Sequence, residues 1–330
     1  MDNRYKRLLP AAIAFSLGTA ALSLLLGAVA LSPAQLWQAV VGGPSSTAGY
    51  IFWYARLPRT LACLLSGAAL AVSGAVIQGV LSNKLASPSI IGVNAGAGLA
   101  VTVCCALGLL SGWIIALSAF GGAMASVLLV VFVARKTGAS RTTVILGGVA
   151  VNSFLNALSE ALTTLVPDAG VLSGDFRVGG FSSVVPVRLL PAGILICTAL
   201  ILIFTLHNDL DVLALGEETA RSLGMSVRKT RTLFLVLAAM LAGASVSFAG
   251  LLGFVGLIVP HGVRRLVGSQ SRYLLPVCAV GGAGFVTACD LVSRLVFIPY
   301  ELPVGILMSV LGGPFFLALL MKRKGGRSYA

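Results

Sequence analysis

The sequence holds few side chains of the kinds that catalyse reactions. Its only two histidines, His207 and His261, lie near the ends of apolar stretches, and neither belongs to an H-E-x-x-H zinc-binding pattern. No G-x-S-x-G nucleophile elbow occurs either. The phosphate-binding pattern G-x-x-x-x-G-K-[ST] is also missing. The sequence therefore argues against an enzyme, and the chain cannot cradle a nucleotide by that motif.

Two acidic residues, Glu160 and Asp290, stand inside apolar stretches. A charge inside a membrane costs about 2.5 to 3.5 kcal/mol on insertion scales, so such residues mark functional sites. Intramembrane acids are typical of secondary transporters coupled to protons, and that class is an alternative. Asp290 has a second interpretation, because Arg294 follows it by one helical turn and could pair with it.

Six cysteines also lie in apolar stretches, and none forms a C-x-x-C pair with a histidine nearby. We interpret them as small hydrophobic residues buried between helices rather than as metal ligands. They are Cys63, Cys104, Cys105, Cys197, Cys278 and Cys289.

The elements that position these residues are membrane helices. Of the 330 residues, 58% are hydrophobic and only 10% are charged, and the mean hydropathy is +1.01. A spanning helix needs about 20 apolar residues, so the chain accommodates about ten spans. The apolar stretches are unbroken, unlike the alternating strands of a membrane barrel. The fold class is therefore all-α and polytopic, with one transmembrane domain over residues 1–330.

Hydropathy places the ten spans as follows: 8–31, 60–81, 90–110, 112–134, 142–166, 189–206, 231–249, 252–266, 273–296 and 303–321. With these spans, 18 of the 23 Lys and Arg residues fall on one side of the membrane and 5 on the other. The positive-inside rule then makes both termini cytoplasmic, which agrees with an even number of spans. This orientation explains the net charge of +13 better than nucleic acid does, because no basic run is interleaved with stacking aromatics.

Small residues recur every four positions in the second span, at Gly67, Ala71, Ala75 and Gly79. The seventh and tenth spans contain similar stripes, and such stripes let helix backbones approach closely. Spans two and seven are five apart, and an odd offset reverses the direction of a helix. We therefore predict an inverted repeat that relates helices 2–5 to helices 7–10, as in many transporters.

Two connections are too rich in sequence to be simple turns. The cytoplasmic connection at about 207–231 contains a short amphipathic helix between Gly216 and Gly224, which we interpret as a docking element, with a solvated linker helix as the alternative. On the outer side, Arg56 and Arg59 flank Leu57-Pro58. They either anchor lipid headgroups or dock an acidic partner.

Several long motifs together resemble the FecCD family, the permease subunits of ABC importers for iron-siderophores, haem and cobalamin. The first half contributes Arg56 to Arg59, Gly67 to Ala75, Gln78, Asn83 to Pro88 and Gly92. The second half contributes Leu215 to Met225, Gly253 to His261, Arg264, Arg265, Glu301 to Gly305 and Gly312 to Phe316. The resemblance covers residues from about 50 to 324.

The resemblance implies ten helices per subunit in a membrane-embedded dimer, formed with a second copy or a paralogue. The expected partners are an ABC ATPase dimer inside and an extracytoplasmic substrate-binding protein outside. The chain itself is expected to bind no cofactor, since ATP binds the partner subunit, and no nucleic acid. The localisation implied is the bacterial inner membrane, as a multi-pass protein.

The resemblance also assigns site residues. The binding-protein docking residues are Arg56, Arg59 and Arg294, whose guanidinium groups suit carboxylates. The ATPase coupling residues are Leu215, Gly216, Glu217, Glu218, Ala220, Leu223 and Gly224. The cytoplasmic gate falls on Asn83, Leu85, Thr142 and Thr143, with a helix cap as the alternative for Thr142. The pathway is lined by span five and the last span, and its polar residues are Asn152, Ser153 and Asn156.

The sequence departs from the family pattern at two places. Lys84 stands where the family usually has proline, and the segment 171–183 lacks the tryptophan often found there. We expect an iron(III)-siderophore as cargo because it is the family's commonest cargo, with haem and then cobalamin as alternatives.

Overall fold

The computed structural model describes residues 2–27, 32–136, 141–296 and 298–324. Within these ranges every regular element is helical and no strand occurs. In chain order the α-helices are α1 (Asp2–Leu25), α2 (Pro33–Gly42), α3 (Thr47–Tyr50), α4 (Leu57–Val80), α5 (Val93–Ala106), α6 (Gly112–Lys136), α7 (Arg141–Leu165), α8 (Pro167–Leu172), α9 (Gly174–Val178), α10 (Pro186–Thr205), α11 (His207–Ala214), α12 (Glu217–Ser222), α13 (Val227–Ala249), α14 (Val255–Val267), α15 (Ser271–Leu295) and α16 (Val304–Lys324).

Seven helices of the described part of the chain are long and apolar enough to cross a membrane. They are α1, the continuous run Thr47–Val80 that ends in α4, and α6, α7, α10, α13 and α15. The three other predicted spans contain α5, α14 and α16, which are not among these seven. The all-helical, polytopic fold is thus confirmed, whereas the count of ten spans and the cytoplasmic termini stay predictions.

The helical run that contains α4 begins earlier than the sequence predicted. The predicted span began at residue 60, a boundary placed by hydropathy, and the proline at position 58 lies upstream of it. The structure continues the helix upstream through a π-helical turn, Ile51–Arg56, in which the Leu57 N–H donates to the Phe52 carbonyl oxygen. The wider turn leads the chain into Pro58 without a break.

The helix α4 lies at the centre of the bundle, against α13, α14 and α15. A Cβ added at Gly67 would overlap the backbone of Gly282 in α15, and one added at Gly74 would overlap Gly256 in α14. The helix backbones therefore touch at these points. The prediction that the small residues of the second span allow close packing is confirmed, although the stripe serves several partners, since Gly79 packs against Leu210 of α11.

The contacts between α4 and α13 show that the two helices run in opposite directions. The hydroxyl oxygens of Ser66 and Ser245 lie 2.6 Å apart. Seven residues further along α4, the Ser73 hydroxyl donates to the Ala238 carbonyl oxygen at 2.7 Å, which is seven residues back along α13. The predicted reversal between spans two and seven is found here. The full inverted repeat stays a prediction.

One cysteine departs from the expected burial. Cys197 on α10 is exposed, whereas the five others are buried. Leu190, Ile194 and Ile201 of the same helix are exposed as well. The sequence could not separate an apolar residue that faces lipid from one that faces protein, because both surroundings favour the same side chains.

Candidate functional site

At the end of the bundle predicted to lie outside, Arg59 is the centre of an ion-pair network. Its Nη2 lies 3.0 Å from Asp290 Oδ1, and its Nη1 lies 2.6 Å from Glu301 Oε2. Arg294 Nε lies 3.1 Å from the other carboxylate oxygen of Asp290. Asp290 is fully buried, so both guanidinium groups compensate a carboxylate that would otherwise be costly to bury.

The predicted docking residue Arg56 points inward. Only 5% of it is exposed, and its Nη1 donates to the carbonyl oxygens of Leu24 and Leu25 at 2.6 and 2.7 Å. These carbonyls belong to the last turn of α1, where helix carbonyls lack partners within the helix. The guanidinium group of Arg56 therefore caps the end of α1 and does not point outward, as a lipid anchor or a docking residue would.

Arg294 is equally buried, at 4% exposure, and its Nη2 donates to the hydroxyl oxygen of Ser23 at 2.7 Å. The pairing of Arg294 with Asp290, which the sequence offered as an alternative to docking, is confirmed. Of the three predicted docking residues, Arg59 is the one with an exposed neighbour, Glu301, so it lies nearest to the surface. A contact with a partner stays a prediction for all three.

The two candidate proton-coupling acids do not share a site. Asp290 is held by Arg59 and Arg294, which makes it the centre of a structural ion pair. Glu160 is exposed on α7, and its carbonyl oxygen accepts the hydroxyls of Thr163 and Thr164 at 2.9 Å. Neither arrangement resembles a relay of neighbouring acids through the bundle.

The predicted amphipathic helix between Gly216 and Gly224 is present as α12. Gly216 has φ +125° and Gly224 has φ +80°, conformations that glycine adopts without strain. The leucines just outside the helix, Leu215 and Leu223, are 66% and 63% exposed. Two large apolar side chains exposed on either side of a short helix favour a docking element over a solvated linker.

Two of the predicted coupling residues face their own chain instead. Ala220 is fully buried, and Glu217 forms ion pairs with Arg221 and with Arg231 of α13. These contacts fix the helix on the end of α13. Glu218 is exposed, like the two leucines, and remains available to a partner.

The predicted gate residues lie in two separate segments. Asn83 and Leu85 form a tight turn, in which the Leu85 N–H donates to Asn83 Oδ1 at 3.0 Å. Thr142 and Thr143 are the second and third residues of α7, and Thr142 is exposed. The asparagine is thus used to shape its own loop. The gating role stays a prediction for all four residues.

The predicted pathway residues on α7 divide into two groups. Asn152 Nδ2 donates to the Ser89 and Ile90 carbonyl oxygens at 2.8 and 3.1 Å, so it fastens α7 to the loop before α5. Ser153 and Asn156 are exposed in the single chain. They share this helix with the exposed apolar residues Phe154 and Leu158.

Two residues acquire contacts that the sequence did not predict. Arg177 Nη2 donates to the hydroxyl oxygens of Ser159 and Thr102 at 2.5 and 3.0 Å and thereby joins α9, α7 and α5. Glu301 pairs with Arg59 just before α16. Glu301 stands in one of the motifs quoted above and was a visible signal, whereas nothing in the spacing marked Arg177.

Among the described residues, no group of three or more His, Cys, Asp or Glu side chains lies close enough to hold a metal ion. The described part of the chain thus offers polar surfaces and docking elements, and its ion pairs connect helices.

Comparison with known proteins gives one consistent picture. The model of the FecCD transport family matches residues 15–322. The Fe(3+)-citrate import system permease protein YfmD of Bacillus subtilis is 39% identical over 81% of this chain and 80% of its own length. The vitamin B12 import system permease protein BtuC of Serratia proteamaculans is 37% identical over 90% of this chain and 89% of its own length.

A solved structure has the same fold. It shows an inward-facing conformation of a metal-chelate type ABC transporter, with a TM-score of 0.86 and 28% sequence identity. The similarity covers 96% of this chain and 99% of the solved one.

Proposed function

This chain belongs to the FecCD transport family, and from that membership we propose that it carries an iron(III)-siderophore inward across the bacterial inner membrane. The broader statement needs no proposal: the chain is a multi-pass permease subunit of an ABC importer and not an enzyme. The family match over nearly the whole length is the observation that carries this function.

We expect three partners, which would supply the energy, the cargo and the second half of the pathway. An ABC ATPase dimer would supply the energy, and the exposed Leu215 and Leu223 beside α12 support its docking on this element. A substrate-binding protein would deliver the cargo on the outer side, near Arg59 and Glu301. A second permease subunit, identical or paralogous, would cover the exposed face of α7 and complete the pathway.

The cargo is proposed as a bulky iron chelate. The Fe(3+)-citrate relative supports iron, and the vitamin B12 relative supports cobalamin, which is the alternative together with haem. The proton-coupled secondary transporter is the distant alternative, and the pairing of Asp290 with two arginines disfavours it.

Reconstitution tests the proposal. The permease, its ATPase and its binding protein are placed in liposomes, and uptake of an iron-labelled chelate is followed with and without ATP. We expect uptake only with ATP and the ATPase present. Uptake by the permease alone, driven by a pH gradient, would instead establish a secondary transporter.

A further inference from the structure

A cluster of basic side chains gathers at the end of α14 that is predicted to face the cytoplasm. It consists of Lys84 from the loop after α4, and of His261, Arg264 and Arg265 from α14. We call these four residues the α14 cation cluster. The charges that act on His261 come from the other three members, and all three are positive. None of the ion pairs found among the described residues involves a member of this cluster.

The contacts inside the cluster leave its charge uncompensated. Arg264 Nη1 donates to Gln78 Oε1 at 2.8 Å, and Gln78 Nε2 donates to the Gly256 carbonyl oxygen at 3.2 Å. A neutral amide thus holds the guanidinium in place without cancelling its charge. The Nε2 atom of His261 is buried and has no hydrogen-bond partner among the described residues.

The C-terminal end of α14 stabilises part of the cluster's positive charge. The Gly268 N–H donates to the Arg264 carbonyl oxygen at 3.0 Å and closes the helix. Cations in a last turn are favoured because a helix C-terminus is equivalent to roughly half a negative charge. Half a charge does not offset three full cations. An anion from outside the chain would offset the remaining positive charge.

The position of the cluster indicates which anion it would bind. The His261 ring meets the Phe315 ring of α16 edge-on, with centroids 5.7 Å apart. Lys84 stands between Asn83 and Leu85, the predicted gate residues. The cluster therefore borders both the predicted pathway helix and the predicted cytoplasmic gate, where cargo would leave.

Given the proposed function, on which this step rests, we propose that the α14 cation cluster binds the negative groups of the cargo at the cytoplasmic mouth. The cargo is then an anionic chelate, such as one that presents free carboxylates. Arginine matches a carboxylate with two parallel N–H donors. An uncharged or cationic chelate would gain nothing from the cluster.

Lys84 is the member that distinguishes this chain from the family pattern, which usually has proline there. The Ala86 N–H donates to the Asn83 carbonyl oxygen at 3.0 Å, so Lys84 is the second residue of a tight turn. Proline is favoured at that position of a turn. The backbone therefore does not require lysine, and what lysine adds is an exposed positive charge beside the gate.

The test measures chelate binding from the cytoplasmic side. The complete transporter, permease with ATPase, is placed in nanodiscs of zwitterionic lipid. Dissociation constants are measured by equilibrium dialysis for iron-labelled ferric citrate, which is anionic, and for ferrichrome, which is uncharged. The variants are Lys84→Pro, which suits the turn, and Lys84→Gln. Lys229→Gln removes the same charge from an exposed position at the start of α13 and is the matched control.

We expect both Lys84 variants to weaken ferric citrate binding about 5- to 20-fold and to leave ferrichrome binding within twofold. The control should change neither. Equal effects on both chelates, or an effect as large in the control, would overturn the inference. So would a Lys84 effect that appears only with phosphatidylglycerol in the nanodisc, because the cluster would then bind lipid headgroups. A wild-type transporter that moves no chelate with ATP would contradict the proposed function instead.

Discussion

Arg59 and Glu301 form an ion pair at the outer end of the bundle, with Nη1 and Oε2 2.6 Å apart. The pair joins α4 to the segment that leads into α16. The Leu302 N–H also holds that segment, because it donates to the Ser293 carbonyl oxygen at 3.2 Å. In the first turn of α16, the Gly305 N–H donates to the Gly179 carbonyl oxygen at 3.2 Å. A carboxylate of the binding protein that approached Arg59 would compete with Glu301.

This competition predicts that Glu301→Gln strengthens docking of the binding protein. The variant keeps the size of the side chain and frees an N–H face of Arg59. We expect the dissociation constant of the complex to fall several-fold at low ionic strength, measured by surface plasmon resonance on nanodiscs. Asp168→Asn, an equal charge change on an exposed residue of the same side, is the control. An equal gain of affinity in both variants would show that the effect comes from long-range charge repulsion and not from competition for Arg59.

Arg56→Glu should impair folding and not docking. The change would remove the donors to the Leu24 and Leu25 carbonyls and place a carboxylate in a buried site beside these carbonyl oxygens, at a cost of about 3 to 5 kcal/mol. We expect little monodisperse protein by fluorescence size-exclusion chromatography. The milder Arg56→Gln should yield folded protein with docking affinity within twofold of wild type. Rescue of Arg56→Glu by acid-to-lysine changes on the binding protein would show that the arginine docks it directly.

The two glycines beside α12 predict which substitutions uncouple ATP hydrolysis from uptake. A Cβ at Gly216 or Gly224 would meet no atom within 4 Å, so a substitution there acts through backbone strain alone, about 1 to 3 kcal/mol. Gly216→Val and Gly224→Val should lower uptake per ATP hydrolysed. Asparagine tolerates positive φ, so Gly224→Asn should keep most uptake. If both valine variants transport normally, α12 is a linker.

Two adjacent glycines of α15 provide a matched test of helix packing. Ala at Gly282 would overlap the Gly67 backbone, whereas Ala at Gly281 would meet no atom within 4 Å. We expect Gly282→Ala to destabilise the protein by about 1 to 3 kcal/mol and to lower its melting temperature in detergent. Gly281→Ala should leave the melting temperature unchanged or slightly higher. Equal melting temperatures for the two variants would argue against direct backbone contact.

The fold was largely predictable from the sequence because lipid imposes a simple requirement, namely long apolar segments with satisfied backbones. Each predicted span contains a helix, and the glycine stripe of α4 packs as expected. The direction of Arg56 was not predictable. An arginine near the membrane surface can point outward to a partner or turn back to the end of a neighbouring helix, and only the position of α1 decides between these.

The candidate site was predictable where a motif also fixes the local backbone. Gly216 and Gly224 bracket a helix as expected, because glycine determines where the chain can turn. The contacts of Glu217 with Arg231 and of Arg177 with Ser159 join segments that are far apart in sequence or lie on different helices. Such contacts depend on how the helices are arranged, which no spacing of residues reveals.

The hydroxyl pair Ser66–Ser245 has a consequence for how the chain is made. About 180 residues separate the two serines, and at roughly 5 to 20 residues per second the ribosome needs about 9 to 36 seconds to reach the second after the first. During that time Ser66, Ser73 and Gln78 lie in a newly inserted helix without the second-half partners they contact in the finished protein. Until α13 and α14 are synthesised, these buried polar groups must therefore find other partners or stay unpaired in the membrane, where an unpaired polar group is costly.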